Sequence, residues 1–375
     1  MFNVALRFIL YDKTRSVITL LGVVFAVSLI FAQVGIYLGL METSSVIIDN
    51  APGDIWITSK NSRNFDFSQA IPEYIFYQAQ EVEGVEWAEK LIVVWGLLKQ
   101  HEGGIEQVEI VGFNPDTGIG GPQAMMIGNV ADLKNGYFAI VDRSAMSKLG
   151  SLSVGDYRDV NYRRLQITGI SEGVKSFTTA PILFTSYRVA QILAWLLGPD
   201  NTVFVIVKTA AGYPVSAVIQ NLKEKVTGVD VYSKEAFSRK TRLYWTIETG
   251  VGFSFLITIL ISFFIGLLVV AQTIYNSTVE HLQEFGTLKA LGAENSEVYR
   301  IIFWQAGIFA LAGYLLALTV TLLSQRFYDT LGMVMVVDWR VNLAVFGLAL
   351  VMCLSAAFFS VRKIRIIDPA ILFRG

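Results

Sequence analysis

A single cysteine, Cys353, and two histidines, His101 and His281, are all that this chain offers to thiol or imidazole chemistry. One cysteine permits no intrachain disulfide and no cysteine-based metal cluster. The two histidines stand far apart without a neighbouring ligand pattern, and each reads as an ordinary surface residue rather than a metal ligand. Charge is scarce as well. Asp, Glu, Lys and Arg make up 16% of the residues against 53% that are hydrophobic, a balance that places the chain among membrane proteins. The formal net charge is −1 and no long basic run occurs, which argues against a nucleic-acid partner.

Catalytic motifs are missing too. No G-x-x-x-x-G-K-S/T loop is present, so the chain itself holds no nucleotide in the Walker manner. Gly118-Ile119-Gly120-Gly121 is glycine-rich, but Pro122 follows and the lysine is lacking, so it reads as a flexible loop. No G-x-S-x-G, H-E-x-x-H or Ser/Lys arrangement stands out. Glu81, Glu83 and Glu86 suit a solvated helix end better than a catalytic pair. The expectation is a non-catalytic chain with no cofactor or metal of its own.

What the chain has instead is four long apolar stretches. Ser16–Met41, Thr249–Val279, Ile301–Gln325 and Val341–Val361 contain no Asp, Glu, Lys or Arg, and each exceeds the roughly 20 residues that a bilayer requires. The first is too long for a signal-peptide core and has no convincing small-residue cleavage site behind it, so it reads as an uncleaved anchor. Arg7, Lys13 and Arg15 precede the first span, and Arg362, Lys363, Arg365 and Arg374 follow the last. By the positive-inside rule both termini are cytoplasmic. Arg239, Lys240 and Arg242 run against that rule, but they end a long domain, and long domains translocate largely regardless of charge.

The expected fold is therefore an α-helical membrane protein with four transmembrane helices and a large extracytoplasmic α/β (α+β) domain inserted between the first two. In residue numbers this means an amphipathic elbow at 1–15, spans at 16–41, 249–275, 301–325 and 341–361, and the domain with its stalk at 42–248. A cytoplasmic helical loop at 276–300, a short outer loop at 326–340 and a tail at 362–375 complete it. Within the domain, Asp54–Thr58, Lys90–Leu98, Glu106–Phe113, Ala139–Asp142, Arg164–Gly169 and Val203–Lys208 read as strands. Glu73–Val82, Arg143–Leu149, Ser186–Leu196 and Val215–Val226 read as helices, and Asn114–Gly128 as a loop that opens an inserted subdomain. Ser233 caps a helix running through Phe237 and Tyr244 which, if continuous, is a rigid stalk to the second span. Ahead of the first span, Phe2, Ala5, Phe8 and Ile9 share one helical face; this stretch is either an elbow on the membrane surface or an extension of the span.

The spans carry no acid or base near their centres, which argues against an ion-coupled carrier and against a hydrophilic pore. Their polar residues, Gln33, Gln272 and Gln305, are explained by hydrogen bonds between helices, with substrate contact as the alternative. Gly35 and Gly39, in G-x-x-x-G spacing, permit close helix approach, either inside one subunit or across a dimer.

The most informative segment is Glu280–Ala293. Val279, Leu282, Phe285 and Leu288 recur at near-helical spacing, Lys289 suits the last turn, and Gly292 follows as a stop. Asn295 and Ser296 can cap the next helix with Glu297 in its first turn. A helix punctuated this way at the membrane surface suggests a docking element. The segment resembles the coupling helix of the FtsX/MacB-like permeases of ATP-driven exporters, whose pattern is roughly Glu-x-x-x-Glu-Phe-Gly-Thr-Leu-Lys-Ala-Leu/Ile-Gly-Ala. The layout of one span, a large outer domain and three further spans is similar throughout, most closely to the DevC-type branch of cyanobacterial exporters. The closing Val361-Arg362-Lys363-Ile364-Arg365-Ile366-Ile367-Asp368-Pro369-Ala370-Ile371 looks like the family's terminal basic-then-Asp-Pro-Ala motif. The chain lacks the fused ATPase of MacB itself and looks like the split arrangement.

The resemblance implies a permease in the bacterial, here cyanobacterial, inner membrane. It implies a homodimer or heterodimer clasped by a separate cytoplasmic ABC ATPase, which binds the ATP and Mg. Glu280, Leu282, Glu284, Phe285, Gly286, Leu288, Lys289 and Gly292 would couple to that ATPase. Of these, Leu282, Phe285 and Leu288 would pack in its groove or on the membrane surface. Motion rather than substrate would cross the spans, toward a membrane-fusion adaptor and an outer-membrane channel. The alternative is an FtsX-like regulator that activates an extracytoplasmic hydrolase; the size of the outer domain favours the exporter.

Overall fold

A computed structural model of the protein describes residues 2–100, 103–150, 152–174, 180–290 and 293–364. His101 and the terminal motif from Arg365 onward lie outside the described residues. The chain forms two compact units, a helical one and an inserted domain, Leu40–Val251 together with Thr330–Met333.

The helices, in chain order, are α1 (Phe2–Tyr11), α2 (Lys13–Ser44), α3 (Val46–Asn50), α4 (Tyr74–Gln80), α5 (Met146–Leu149), α6 (Tyr187–Leu193), α7 (Val215–Lys225), α8 (Lys234–Leu243), α9 (Val251–Glu280), α10 (Leu282–Ala290), α11 (Asn295–Thr330) and α12 (Trp339–Ile364). The helical unit is built from α2, α9, α11 and α12, each long and apolar enough to cross a membrane. Among the described residues no ion pair holds their core. Val23, Ala26, Val27, Ile30 and Phe31 of α2 meet Val270 and Ile274 of α9, Ala306, Ala310 and Ala317 of α11, and Ala349, Met352, Cys353, Ala356 and Ala357 of α12. The abundance of alanine at these positions lets the helices approach closely, as lipid-embedded packing requires. Gly266 sits where a Cβ would fall 2.7 Å from Ala26 Cβ, so nothing larger than glycine fits without a shift. The Ser360 hydroxyl donates to Ala271 O at 3.0 Å and to Ala356 O at 2.9 Å. Gln272, expected to bond across helices, instead donates to Asn276 one turn on in its own helix, at 3.1 Å, because it lies on the exposed face.

The glycine pair on α2 is occupied by this chain's own return segment. Val336 N–H donates to Gly35 O at 3.0 Å, and a Cβ on Gly39 would stand 3.1 Å from Val334 Cβ. The close approach that G-x-x-x-G permits is used here for an extended strand of backbone rather than for a second helix.

Among the described residues the inserted domain has twelve strands: β1 (Ile55–Ser59), β2 (Ile71–Pro72), β3 (Val85–Lys99), β4 (Ile105–Phe113), β5 (Ala124–Ile127), β6 (Phe138–Asp142), β7 (Tyr157–Val160), β8 (Arg163–Glu172), β9 (Ile182–Ser186), β10 (Asn201–Thr202), β11 (Phe204–Thr209) and β12 (Val229–Ser233). Ten join one sheet in the order β12-β1-β11-β3-β4-β9-β6-β8-β5, with β7 beside β3 and β8. The 15-residue β3 is its spine: Val85–Leu91 pairs with β11 and Ile92–Lys99 with β4. The β4 and β9 strands are parallel neighbours, so the segment between them, carrying β5 to β8, is inserted into a sheet that exists without it.

Both faces of the sheet are covered, which explains why β1 and β9 are buried along their whole length. Side chains alternate between two cores with the strand period of two. Ile55 and Ile57, with Val205 and Val207, pack against Ile75 and Ala79 of α4 and Val218 and Leu222 of α7. Trp56 and Phe204 point the other way, into a cluster with Phe65 and Phe237 of α8.

Ser233 caps α8 as its spacing predicts, accepting from Ala236 N–H at 3.2 Å. The continuous stalk does not form. After α8 the chain makes a π-helical turn, Tyr244–Glu248, and Gly250 takes φ +75° before α9 begins at Val251. A left-handed glycine interrupts the helix because that backbone conformation cannot continue an α-helical ladder. The loop 60–70 is tied to this turn: Trp245 Nε1–H donates to Asp66 Oδ2 at 3.0 Å, as does Asn64 Nδ2–H at 3.0 Å, and Phe65 N–H donates to Thr241 Oγ1 at 3.2 Å. Burial pushes the Asp66 carboxyl up to about 6, against the pull of the Trp245 and Asn64 donors toward the ionised form.

A carboxyl whose folded-state pKa is raised contributes stability that is fully present below its unfolded value and is lost as pH rises through the folded one. The contribution of Asp66, read as the difference in unfolding temperature between the wild type and Asp66→Asn, should therefore be more favourable near pH 4 than near pH 7, with the change centred between about 4 and 6. Thermal unfolding of the full chain in nanodiscs checks this, and in Asp66→Asn that part of the pH dependence should vanish.

Candidate functional site

The segment singled out by its sequence lies at the end of α9. It forms α10, set off from α9 by the one residue His281, and backbone bonds bridge the junction: His281 N–H donates to Ser277 O at 3.1 Å and Phe285 N–H to His281 O at 3.0 Å. The next helix is capped one residue earlier than the sequence suggests. Glu297 reaches back to Glu294 N–H at 3.2 Å and its own N–H donates to Glu294 O at 3.0 Å, so Glu294 holds the cap position and Asn295 is already helical.

Beside α10 packs α1, which is a helix in its own right. It ends at Tyr11; Asp12 breaks the run and caps α2, its Oδ1 accepting from Arg15 N–H at 3.2 Å. A single non-helical residue, Asp12, thus separates this stretch from α2. Its Ala5 is fully buried against Phe285, Val298 and Ile301, with Val4 and Phe8 beside them. The Phe8 ring lies 5.4 Å from that of Phe285 and 4.6 Å from that of His281. His281 is consequently buried between aromatic rings and is not the surface residue its sequence context suggests. Its Nδ1 stands 3.2 Å from Glu284 Oε1, and the Glu284 carboxyl is held below its ordinary range by its own backbone N–H and by this ring.

Polar groups close the same corner. Arg15 forms a two-pronged pair with Glu280, Nη2 donating to Oε1 at 2.7 Å and Nη1 to Oε2, while its Nε lies 3.4 Å from Asp12. This pair links the start of α2 to the end of α9. A cavity of about 20 Å³ beneath it, the size of a water molecule, is lined in part by Arg15, Ser16, Thr273, Ser277 and Gln305.

The coupling residues therefore divide. Phe285 turns inward onto α1 and α11 and is 7% exposed, so it is not available to a partner's groove or to the membrane surface. Glu280 and Glu284 are exposed, Gly286 is half-buried, and Gln283 and Thr287 lie outward beside Glu284. The side chains of Leu282, Leu288 and Lys289, and Gly292 altogether, lie outside the described residues. The sequence reading missed Ala5, Phe8 and Arg15 as partners of α10, although the shared face of Ala5 and Phe8 was its available signal. Among the described residues no cluster of His, Cys, Asp and Glu is placed to hold a metal ion.

Comparison with known proteins adds to this geometry. The family described as MacB-like periplasmic core domain matches residues 16–225, and that described as FtsX-like permease C-terminal matches residues 256–369. An uncharacterized ABC transporter permease of Mycobacterium tuberculosis (strain ATCC 25618 / H37Rv) is 24% identical over 378 residues, covering 100% of both chains. Another, from Methanocaldococcus jannaschii, is 23% identical over 239 residues, 60% of this chain and 58% of its own. Among solved structures, the periplasmic region of MacB from Actinobacillus actinomycetemcomitans has a TM-score of 0.39 and 10% identity, covering 52% of this chain and 96% of that one.

Four membrane-crossing helices with an α/β domain inserted after the first define a multi-pass membrane permease. The chain belongs to the MacB/FtsX-like ABC transporter permeases, a family that implies a partner ATPase.

The interlock of α1 with α10 has a measurable consequence. Phe285→Ala should cost about 3 kcal/mol of stability as a cavity between helices. A double-mutant cycle with Phe8→Ala should return a coupling of roughly 0.5–1.5 kcal/mol in thermal unfolding, the range of a close aromatic pair. Gln283→Ala, on the outward face, should leave stability unchanged.

Proposed function

We propose that this chain is the mechanotransmitting permease subunit of an ATP-binding cassette exporter of the DevC type. A separate cytoplasmic ATPase docks on the outward face of α10, formed by Gln283, Glu284 and Thr287, and hydrolyses the ATP. The reading is supported above all by the way α10 is built. It follows α9 after the single residue His281, packs through Phe285 on α1 and α11, and is tied through Glu280 and Arg15 to α2. A push on such an element cannot be absorbed locally; it moves the first two spans together. The α2 helix is unbroken from Lys13 to Ser44, so it can carry that displacement along its axis. The spans need no path for substrate, in keeping with cores closed by alanine and aliphatic side chains.

In this reading both termini face the cytoplasm and two copies of the chain are drawn together when ATP binds. The broad, apolar outer faces of α9 and α11, exposed at Phe253, Leu260, Phe264, Leu311, Leu315 and Val320, suit lipid and a second copy. The extracytoplasmic domain passes the motion to a membrane-fusion adaptor and an outer-membrane channel.

The test is ATPase stimulation in nanodiscs, with the cognate ATPase co-purified. Gln283→Arg/Thr287→Arg, on the outward face, should reduce association and stimulation by about tenfold or more while thermal unfolding stays close to that of the wild type. A wild-type chain that neither binds nor stimulates its ATPase would overturn the coupling assignment. Recovery of an extracytoplasmic hydrolase instead of an adaptor would turn the reading to that of a regulator.

A further inference from the structure

At the end of the inserted domain, within a few residues of the second span, lies an open groove of about 430 Å³. It is lined by Tyr232, Arg239, Lys240, Leu243, Tyr244 and Ile247, with Ala236 and Glu248 completing it. The helical residues are spaced as 236/240/244 and 239/243/247, so one helical face supplies cations toward its start and apolar side chains toward the span. The domain is extracytoplasmic in this family, and here basic residues flank a span on the side where the positive-inside rule disfavours them.

Of the basic trio, Arg242 is accounted for within the domain. Its Nε donates to Ser45 Oγ at 2.8 Å and its Nη2 to Asp49 Oδ2 at 2.6 Å. The other two are not neutralised. Among the described residues Arg239 is exposed and makes no ion pair or hydrogen bond. Lys240 Nζ donates only to Tyr232 OH at 2.7 Å and lies 4.6 Å from the centre of that ring. Tyr232 OH in turn donates to Asp230 Oδ2 at 3.1 Å, which orients the hydroxyl as an acceptor toward Lys240. Among the described residues Glu248 is the single carboxylate lining the groove, so two cations face one acid. Below the cations Leu243 is 48% and Ile247 70% exposed, although they stand on the approach to a membrane span.

We propose that this groove holds the headgroup of an anionic glycerophospholipid of the outer leaflet. The phosphate sits between Arg239 and Lys240, and the first carbons of the acyl chains lie along Leu243 and Ile247. Charge complementarity selects the anion, and the apolar side chains a few residues from the second span select a lipid over a soluble phosphate. A bound lipid gives Arg239 the counter-charge that the protein does not supply and covers Ile247 with hydrocarbon. It also holds the π-helical turn and α8 to the membrane surface, beside the break at Gly250 that separates them from α9.

The experiment is native mass spectrometry of the full chain released from phosphatidylcholine nanodiscs and titrated with phosphatidylglycerol. The wild type should retain one phosphatidylglycerol more tightly than phosphatidylcholine. Arg239→Gln, which removes no bond of the folded protein, should weaken that first adduct about fivefold, the order expected for one juxtamembrane cation. Arg239→Lys should restore it, and Leu243→Ser/Ile247→Ser should weaken it with both cations intact. Equal retention of the two lipids by the wild type, or unchanged retention of phosphatidylglycerol in Arg239→Gln, would overturn the site. Full displacement of the lipid by glycerol 3-phosphate would overturn the lipid assignment in favour of a soluble phosphate.

Discussion

Helices without charge inside a bilayer are held together chiefly by close packing, and the helical unit of this permease, with the corner at α10 built on it, depends on that constraint. Lipid solvates leucine as well as a neighbouring helix does, so apolarity alone drives no association. What distinguishes the inner faces is size. Ala26, Ala306, Ala310, Ala349, Ala356 and Ala357 line the core, while Phe264, Leu315 and Phe358 stay on the outside. Packing of this kind is shape-specific and transmits displacement, because a close-packed interface slides or holds as a unit.

The end of the bundle that carries α10 shows how such rigidity becomes directed. Phe285, Ala5, Val298 and Ile301 close a small core in which three helices meet. The pair Arg15–Glu280 adds orientation more than stability, since both groups are partly solvated and screened. The same arrangement leaves Glu284 and its neighbours outward, so the residues that hold the element and those that can meet a partner lie on different faces of one helix.

In the inserted domain the constraint is different. A sheet buried on both faces must satisfy two cores with one backbone, and the period of two assigns alternate residues to each. The spine strand β3 runs through both halves and makes them one sheet, while β4 and β9 flank the point at which a further group of strands enters. The aromatic cluster of Trp56, Phe65, Phe204 and Phe237 joins that sheet to α8, and Asp66 joins the adjoining loop to the turn beyond it.

Much of this was legible without coordinates. Spans are set by uninterrupted apolarity, a local property, and all four were readable as such. Six strands and four helical stretches of the domain followed from period and punctuation, because β-branched runs and turn residues act over a few positions. Short strands such as β5, β7 and β10 left no signal, since pairing with distant partners rather than composition makes them strands. Ser233 could be read as a cap because a cap is local; the break at Gly250 could not, because an isolated glycine is tolerated in many helices. Tertiary structure alone decided which way Phe285 faces, since helical spacing defines a stripe but not what covers it. It buried His281 between Phe8 and Tyr11 and brought Arg15 to Glu280 across 265 positions of sequence. It also filled the Gly35 and Gly39 face with the chain's own backbone, because a small-residue motif permits close approach without naming the partner.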